Sequence, residues 1–296
     1  MKFQTLGFGP RDFLHTLQEE LEGEPYRRIQ LRPMAPTIGA EISGVDLGDL
    51  DEEMFAEIER AHLGYKVLFF RDQDITTQQH VDFAKRFGEL EEHPFLPSKP
   101  DFPMVISFSK DEQVKGVENV WHSDVTWREK PSLGSVLRGR EVPRVGGDTL
   151  FSDMFAAYEG LTDEVKQQID GRTAVHDFTQ TFGMAMDPEA RAARQAEYPP
   201  VEHPVVRTHP VSGKKGIYVN AIFTDTIVGM EREESDRLLN HLYRQAAIPE
   251  YQCRFHWEKN SIAFWDNRAA QHYAVSDYWP QKREMERVTI IGDRPV

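Results

Sequence analysis

Cysteine is almost missing from this chain. Its 296 residues include one, Cys253. No internal disulfide can form, and the thiol in Tyr251-Gln252-Cys253-Arg254-Phe255 has no CxxC partner for redox or metal work. It reads as a small buried filler in a strand, in a protein expected to reside in the reducing cytoplasm. No run of about 18 apolar residues occurs, so no helical membrane span is expected. Met1-Lys2-Phe3-Gln4-Thr5 opens no apolar stretch of the secretory kind. Positive charge is scarce too: 35 Lys and Arg face 49 Asp and Glu, a net charge of −14, and no basic block stands out. A nucleic-acid partner needs a basic stripe and is set aside. A chain this acidic binds a small anion by collecting a few arginines in a pocket.

What is present is an ordinary globular composition, 39% hydrophobic and 28% charged, enough for a core. Residues 1–27 read as an N-terminal extension, with helical spacing over Asp12–Glu22 halted by Gly23. The body, residues 28–296, starts with the alternating Arg28-Ile29-Gln30-Leu31. A helix is expected over Asp51–Ala61, and a strand over Tyr65–Phe70. Another helix starts at the capping-box signature Thr76-Thr77-Gln78-Gln79 and ends near Gly88. Beyond about residue 104 short strands dominate, with turns at Gly146-Gly147-Asp148 and Ser212-Gly213. Helical insertions are expected near Thr162–Asp170 and Arg232–Ala247. Met184–Pro200, rich in charge and alanine and ending in a double proline, is expected to be a loop or lid. The fold class is mainly β with helical insertions (α+β), built on a jelly-roll-like core.

A His-x-Asp/Glu pair can supply two ligands of a 2-His-1-carboxylate metal face. It occurs three times: His80-Val81-Asp82, His122-Ser123-Asp124 and His256-Trp257-Glu258. In a helix, residues i and i+2 stand about 200° apart, which excludes His80 and Asp82, placed on a solvated helix surface. His256 and Glu258 lead into a polar turn and read as a solvated rim. His122 and Asp124 lie in the β-branched and aromatic Val120–Trp127, where i and i+2 share a strand face. Alone, that pair fits a hydrogen-bonded core His–Asp pair as well as a metal site. A third ligand candidate, His272, follows the apolar strand Ile262–Asn267. Two arginines, Arg283 and Arg287, come next, four residues apart and so on one strand face.

The sequence resembles the taurine dioxygenase family, which includes alkylsulfatase and aryloxyalkanoate dioxygenases. The resemblance rests on Gly39–Leu47, Phe69-Phe70-Arg71-Asp72-Gln73, Phe87-Gly88-Glu89-Leu90, Trp121-His122-Ser123-Asp124-Val125-Thr126, Gly146–Leu150, His203–Pro210 and Trp265–Ala274. These blocks run in order over about residues 28–295. The resemblance implies a double-stranded β-helix. It implies Fe(II) held by His122, Asp124 and His272, with 2-oxoglutarate and O2 as co-substrates. The far carboxylate of 2-oxoglutarate would meet Arg283 and Thr149, a pairing that suits the guanidinium fork. Arg287, helped by His93, would hold the anionic head of the substrate. Without the resemblance, Thr149 reads as an ordinary strand threonine and His93 as a loop histidine. Arg287 then reads as a surface partner of Glu284 or Glu286.

The implied reaction hydroxylates a small sulfonate or similar organic anion, releasing succinate and CO2. Alkyl sulfates and aryloxyalkanoates are the alternatives. Phe95, Leu96, Val125 and Phe182 would give an apolar pocket. Taurine enzymes of the family carry a tyrosine three residues after the histidine matching His93, where this chain has Leu96. That replacement argues against taurine itself and for a more apolar tail. A zinc hydrolase and a non-catalytic jelly-roll binding protein are the alternatives from other classes. The expected assembly is a homo-oligomer, with no membrane partner.

Overall fold

A computed structural model describes residues 14–17, 20 and 22–296. The helix expected over Asp12–Glu22 falls partly outside them; of its described residues Glu20 and Glu22 are helical, and residues 14–17 are not. Among the described residues no helix is long and apolar enough to cross a membrane.

Val67-Leu68-Phe69-Phe70 is apolar at every position because both faces of its strand are covered. Alternation sends Leu68 and Phe70 one way, with Ile262, Phe264, Val288 and Ile290, into a core shared with Ile58, Val81 and Phe83 of two helices. Val67 and Phe69 go the other way, with Ala263, Trp265 and Met285, against Phe151, Cys253 and Phe255. Period-two alternation explains the division.

The Val67–Phe70 strand belongs to an eight-stranded sheet. Its order is Gln30–Pro33, Ala40–Ser43, Val67–Phe70, Ile262–Asp266, Ser132–Glu141, Arg283–Ile291, Phe102–Lys110, Ser98–Lys99. Ala40–Ser43 and Val67–Phe70 run parallel, and the other neighbours are antiparallel. Gln252–Phe255, Thr149–Asp153 and Ala270–Ala274 form a three-stranded sheet across the second core. The fold is therefore β-rich, with two sheets facing each other. Cys253 is a buried free thiol in that core, its pKa pushed up to about 12 by burial.

The helices follow their caps. Asp51 accepts from Met54 N at the start of Glu52–Tyr65. The expected capping box is formed by Thr76 and Gln79 ahead of Thr77–Lys85. Val206–Thr208 and Lys215–Ile217 pair through a turn in which Gly213 takes φ 69°, a conformation that favours glycine.

Two expectations are corrected. His80 is buried, and its Nε2 donates to Val136 O at 3.0 Å. It shares a helix face with Phe83 and Ala84, turned to the sheet, while Asp82 faces solvent. Helical geometry does separate the pair, but it is Asp82 that is solvated. Met184–Pro200 is not a plain loop: Pro188–Glu197 is a helix, capped by Asp187 with proline at its start. That Asp-Pro pair is a helix-start signal. No residue of this helix is buried, so hydrophobic patterning gave no sign of it.

Candidate metal centre

His122 and His272 face each other in an isolated antiparallel bridge. Each backbone N–H donates to the other's carbonyl, at 3.1 and 2.9 Å. The two rings are thereby brought to 4.2 Å between centroids. The continuous strand expected over Val120–Trp127 is absent. His122 bridges, and the chain turns at Asp124, where Val125 takes φ 47°. A β-branched residue with positive φ is strained, at a cost on the order of 1–3 kcal/mol.

Asp124 Oδ1 nevertheless lies 3.7 Å from His122 Nε2 and 3.9 Å from His272 Nε2. Each of these separations can be bridged by one ion at metal–ligand bond lengths of about 2.0–2.2 Å. All three ligating atoms lie within 4.8 Å of one another, and the residues are buried or half-buried. His122 Nδ1 lies 2.9 Å from Val120 O. A carbonyl only accepts, so Nδ1 carries the proton and the Nε2 lone pair is free, the arrangement metal-binding histidines adopt. Ser135 Oγ donates to Asp124 Oδ2 at 3.1 Å, and Arg287 Nη1 to Oδ1 at 2.9 Å. Burial pushes the Asp124 carboxyl up, but Arg287, with His272 and His122, outweighs it and holds the carboxyl well below its usual range. Burial, with His122 beside it, pulls His272 down to about 3. The donor set is one ionised carboxylate and two imidazole nitrogens, which suits a divalent iron.

Arg283, Met285 and Arg287 point to the inter-sheet face of the Arg283–Ile291 strand, the face on which Met285 joins the second core. Arg283 is buried, and its Nε and Nη2 have no partner among the described residues. The rings of Trp257 and Tyr278 stand 5.9 and 5.8 Å from its guanidinium carbon. Trp257 Nε1 donates to Oγ1 of buried Thr149 at 2.9 Å, so Trp257 links the two residues expected to hold 2-oxoglutarate. A Cβ at Gly147 would come within 3.2 Å of the Tyr278 ring and 3.3 Å of Arg283 Cδ. Glycine is needed there for close approach. A buried cation with no direct ion pair among the described residues calls for an anion, and a carboxylate fits the fork.

Arg287 is buried too, so the surface pairing with Glu284 or Glu286 does not occur. Glu286 faces the other way, toward Lys99 and Arg140. His93 Nδ1 accepts from the backbone N–H of Phe95 and of Leu96, both at 3.2 Å. Its proton therefore sits on Nε2, a buried donor with no partner among the described residues. Burial, then Arg287 and Arg128, pull its pKa to about 3, so it stays neutral. Val125, Trp127, Phe178 and Phe223 form an aromatic-rich cluster with Phe95 and Phe182 against it, and the His93 ring lies 5.4 Å from Phe182. Leu96 is half-buried and outside that cluster. His256 is the exposed rim residue expected, held by Asp148 at 2.8 Å.

Sequence reasoning missed Ser135, Trp257, Arg128 and the buried Glu91, whose Oε1 lies 2.6 Å from Arg128. It also gave no role to Asn267. Only Asn267 carried a signal, as the polar residue ending an apolar strand.

The family described as "Taurine catabolism dioxygenase TauD, TfdA family" matches residues 30–289. An alkylsulfatase from Acinetobacter baylyi is 35% identical over 91% of this chain and 87% of its own length. A sulfate ester dioxygenase dependent on alpha-ketoglutarate, from Pseudomonas putida, is 35% identical over 90% of this chain and 91% of its own. Among solved structures, a taurine dioxygenase from Burkholderia xenovorans superimposes with a TM-score of 0.79 at 38% identity, covering 91% of each chain. AAD-2 in complex with Mn(II) and N-oxalylglycine gives 0.78 at 32% identity, over 90% of this chain and 98% of that one.

Proposed function

The chain belongs to the taurine catabolism dioxygenase family, and from that membership we propose that His122, Asp124 and His272 hold its Fe(II), Arg283 and Thr149 its 2-oxoglutarate, and Arg287 with His93 the anionic head of its substrate. The protein is an Fe(II)- and 2-oxoglutarate-dependent dioxygenase. The two facing sheets are assigned to a double-stranded β-helix, with residues 28–296 as the dioxygenase domain. The observation that carries the site assignment is the convergence of three ligating atoms beside two buried arginines on one strand face.

Bound iron, with 2-oxoglutarate, supplies the O2-dependent chemistry that hydroxylates a substrate carbon and releases succinate and CO2. The chain's own part is positioning and exclusion of water. Arg283 lies among Trp257, Tyr278 and Gly147, a cradle that would hold the far carboxylate of the co-substrate. His93 offers one neutral N–H and Arg287 one fixed charge. Together they would hold an oxyanion head beside the metal ligands, since Arg287 already touches Asp124. The aromatic cluster around Phe95, Val125 and Phe182 keeps water from the tail.

The substrate class proposed is a small sulfonate or a similar organic anion. Leu96, and relatives named for sulfate esters, favour alkyl sulfates as the second reading. A zinc hydrolase has no need for the Arg283–Thr149 pair, and a non-catalytic binding protein has no need for the convergent His122, Asp124 and His272. The test is succinate formation with iron, 2-oxoglutarate and a panel of sulfonates, alkyl sulfates and aryloxyalkanoates. Succinate release coupled to one class identifies the substrate. No coupling with any of the three would refute the anion reading.

A further inference from the structure

The segment carrying two of the ligands is stitched to the segment carrying the third. His122 and His272 exchange both backbone hydrogen bonds, and Ser123 Oγ donates to Ala270 O at 3.2 Å. A ladder would next need a partner peptide for Asp124, but the chain bends there: Val125 has φ 47°, outside any extended conformation. At that step the side chain of Asn267 stands in. Its Oδ1 accepts from Asp124 N at 2.7 Å, and its Nδ2 donates to Asp124 O at 3.0 Å. The same Nδ2 reaches Ser132 O at 3.3 Å. Asn267 is fully buried, and its own N–H donates to Leu133 O at 2.8 Å. It is thereby fixed to the start of the Ser132–Glu141 strand, which also supplies Ser135 to the carboxylate.

We propose that Asn267 is a positioning residue of the metal centre. Its carboxamide replaces the missing peptide group and holds the Asp124 backbone so that Oδ1 faces both imidazoles. A carboxamide presents an acceptor and a donor in the geometry of a peptide group, and no shorter side chain does. An aspartate keeps the acceptor and loses the donors. An alanine loses both and leaves the buried N–H and C=O of Asp124 without partners. Groups that orient ligands without touching the metal govern metal affinity on the order of 10–100-fold. The proposal rests on the assignment of His122, Asp124 and His272 as ligands.

The test is Co(II) and Mn(II) titration of the purified full chain, scaled to the folded fraction by circular dichroism, for the wild type, N267A, N267D and S123A. N267A and N267D are expected to bind each ion on the order of 10–100-fold more weakly, with a weaker visible Co(II) band. The charge added by N267D favours a cation, so weaker binding there isolates the lost donors. S123A removes a stitch of the same bridge without touching Asp124 and is expected to bind as the wild type does. Wild-type affinity in N267D, or a loss in S123A equal to that in N267A, overturns the proposal. So does failure of both Asn267 variants to fold while S123A folds, since the residue would then be structural. A wild type that binds neither ion would overturn the ligand assignment itself.

Discussion

Arg287 Nη1 donates at 2.9 Å to Oδ1 of Asp124, the oxygen that lies 3.7 and 3.9 Å from the Nε2 atoms of His122 and His272. The proposed head-group cation and the proposed metal ligand are thus direct neighbours. A substrate anion on Arg287 would sit beside the metal by construction. Arg287→Ala should therefore weaken every good substrate together, whatever its tail. A charge-assisted hydrogen bond is worth roughly 1.5–3 kcal/mol, so kcat/KM should fall at least about tenfold for each. A fall confined to one tail class would remove Arg287 from the head site.

Asp124→Ala should abolish turnover while the protein still folds. The carboxylate lines the site rather than a packed core, and the Asn267 hydrogen bonds to the Asp124 backbone remain available. Loss of one of three ligands leaves two imidazoles, too few to hold Fe(II) firmly. Normal succinate formation by this variant would sink the triad.

Arg283→Ala should raise the 2-oxoglutarate requirement far more than that for the primary substrate. The guanidinium is buried with Nε and Nη2 unpartnered among the described residues, so it has capacity for a carboxylate. The expected rise in KM is at least about tenfold, from the same 1.5–3 kcal/mol. An unchanged KM for 2-oxoglutarate would reject the assignment.

His80 gives a prediction about stability. Burial pulls its pKa from 6.5 to about 4, against the hydrogen bond to Val136. The folded state therefore keeps it neutral where the unfolded chain binds a proton. Stability is full above about pH 6.5 and falls as pH drops toward the folded value, because the unfolded state takes up more protons. Buried His62, also at about 4, acts in the same direction. His80→Ala should lower the melting temperature at neutral pH by several degrees, about 1–3 kcal/mol for a lost buried side chain and its hydrogen bond. It should also flatten the decline between pH 6.5 and 4. An unchanged melting temperature would contradict the burial of His80.

Much of this architecture was legible in the sequence where one cause dominates. The all-apolar Val67–Phe70 needed two covered faces, and Thr76 with Gln79 announced a helix start. The ligand set was legible as residue types in order. What failed did so for physical reasons. His80 is polar, and its helix face was assigned by polarity, whereas a single carbonyl, Val136 O, suffices to bury it. His122 and Asp124 converge through a bridge and a strained turn, which no periodicity encodes. Ser135 and Asn267 act on Asp124 through contacts fixed only when distant strands meet, 11 and 143 residues away.

Leu96 separates substrate head from substrate tail. Its backbone N–H donates to His93 Nδ1 at 3.2 Å, so a new side chain at 96 leaves the histidine's orientation intact. His93 keeps its Nε2 proton for the head, and any change on substitution belongs to the tail. Leu96→Tyr restores the hydroxyl that taurine enzymes of the family carry at this place and narrows an apolar region. It should therefore improve taurine relative to a long-chain alkyl sulfate. The gain should be several-fold, since one neutral hydrogen bond is worth about 1 kcal/mol. Arg287→Ala in the same assay should depress both substrates alike, which keeps the two effects apart. The measurement is kcat/KM for both substrates in the wild type and both variants. A wild type that already prefers taurine strongly would mean the pocket has been misread. Equal effects of Leu96→Tyr on the two substrates would place residue 96 away from the tail, consistent with its position outside the Phe95, Val125 and Phe182 cluster.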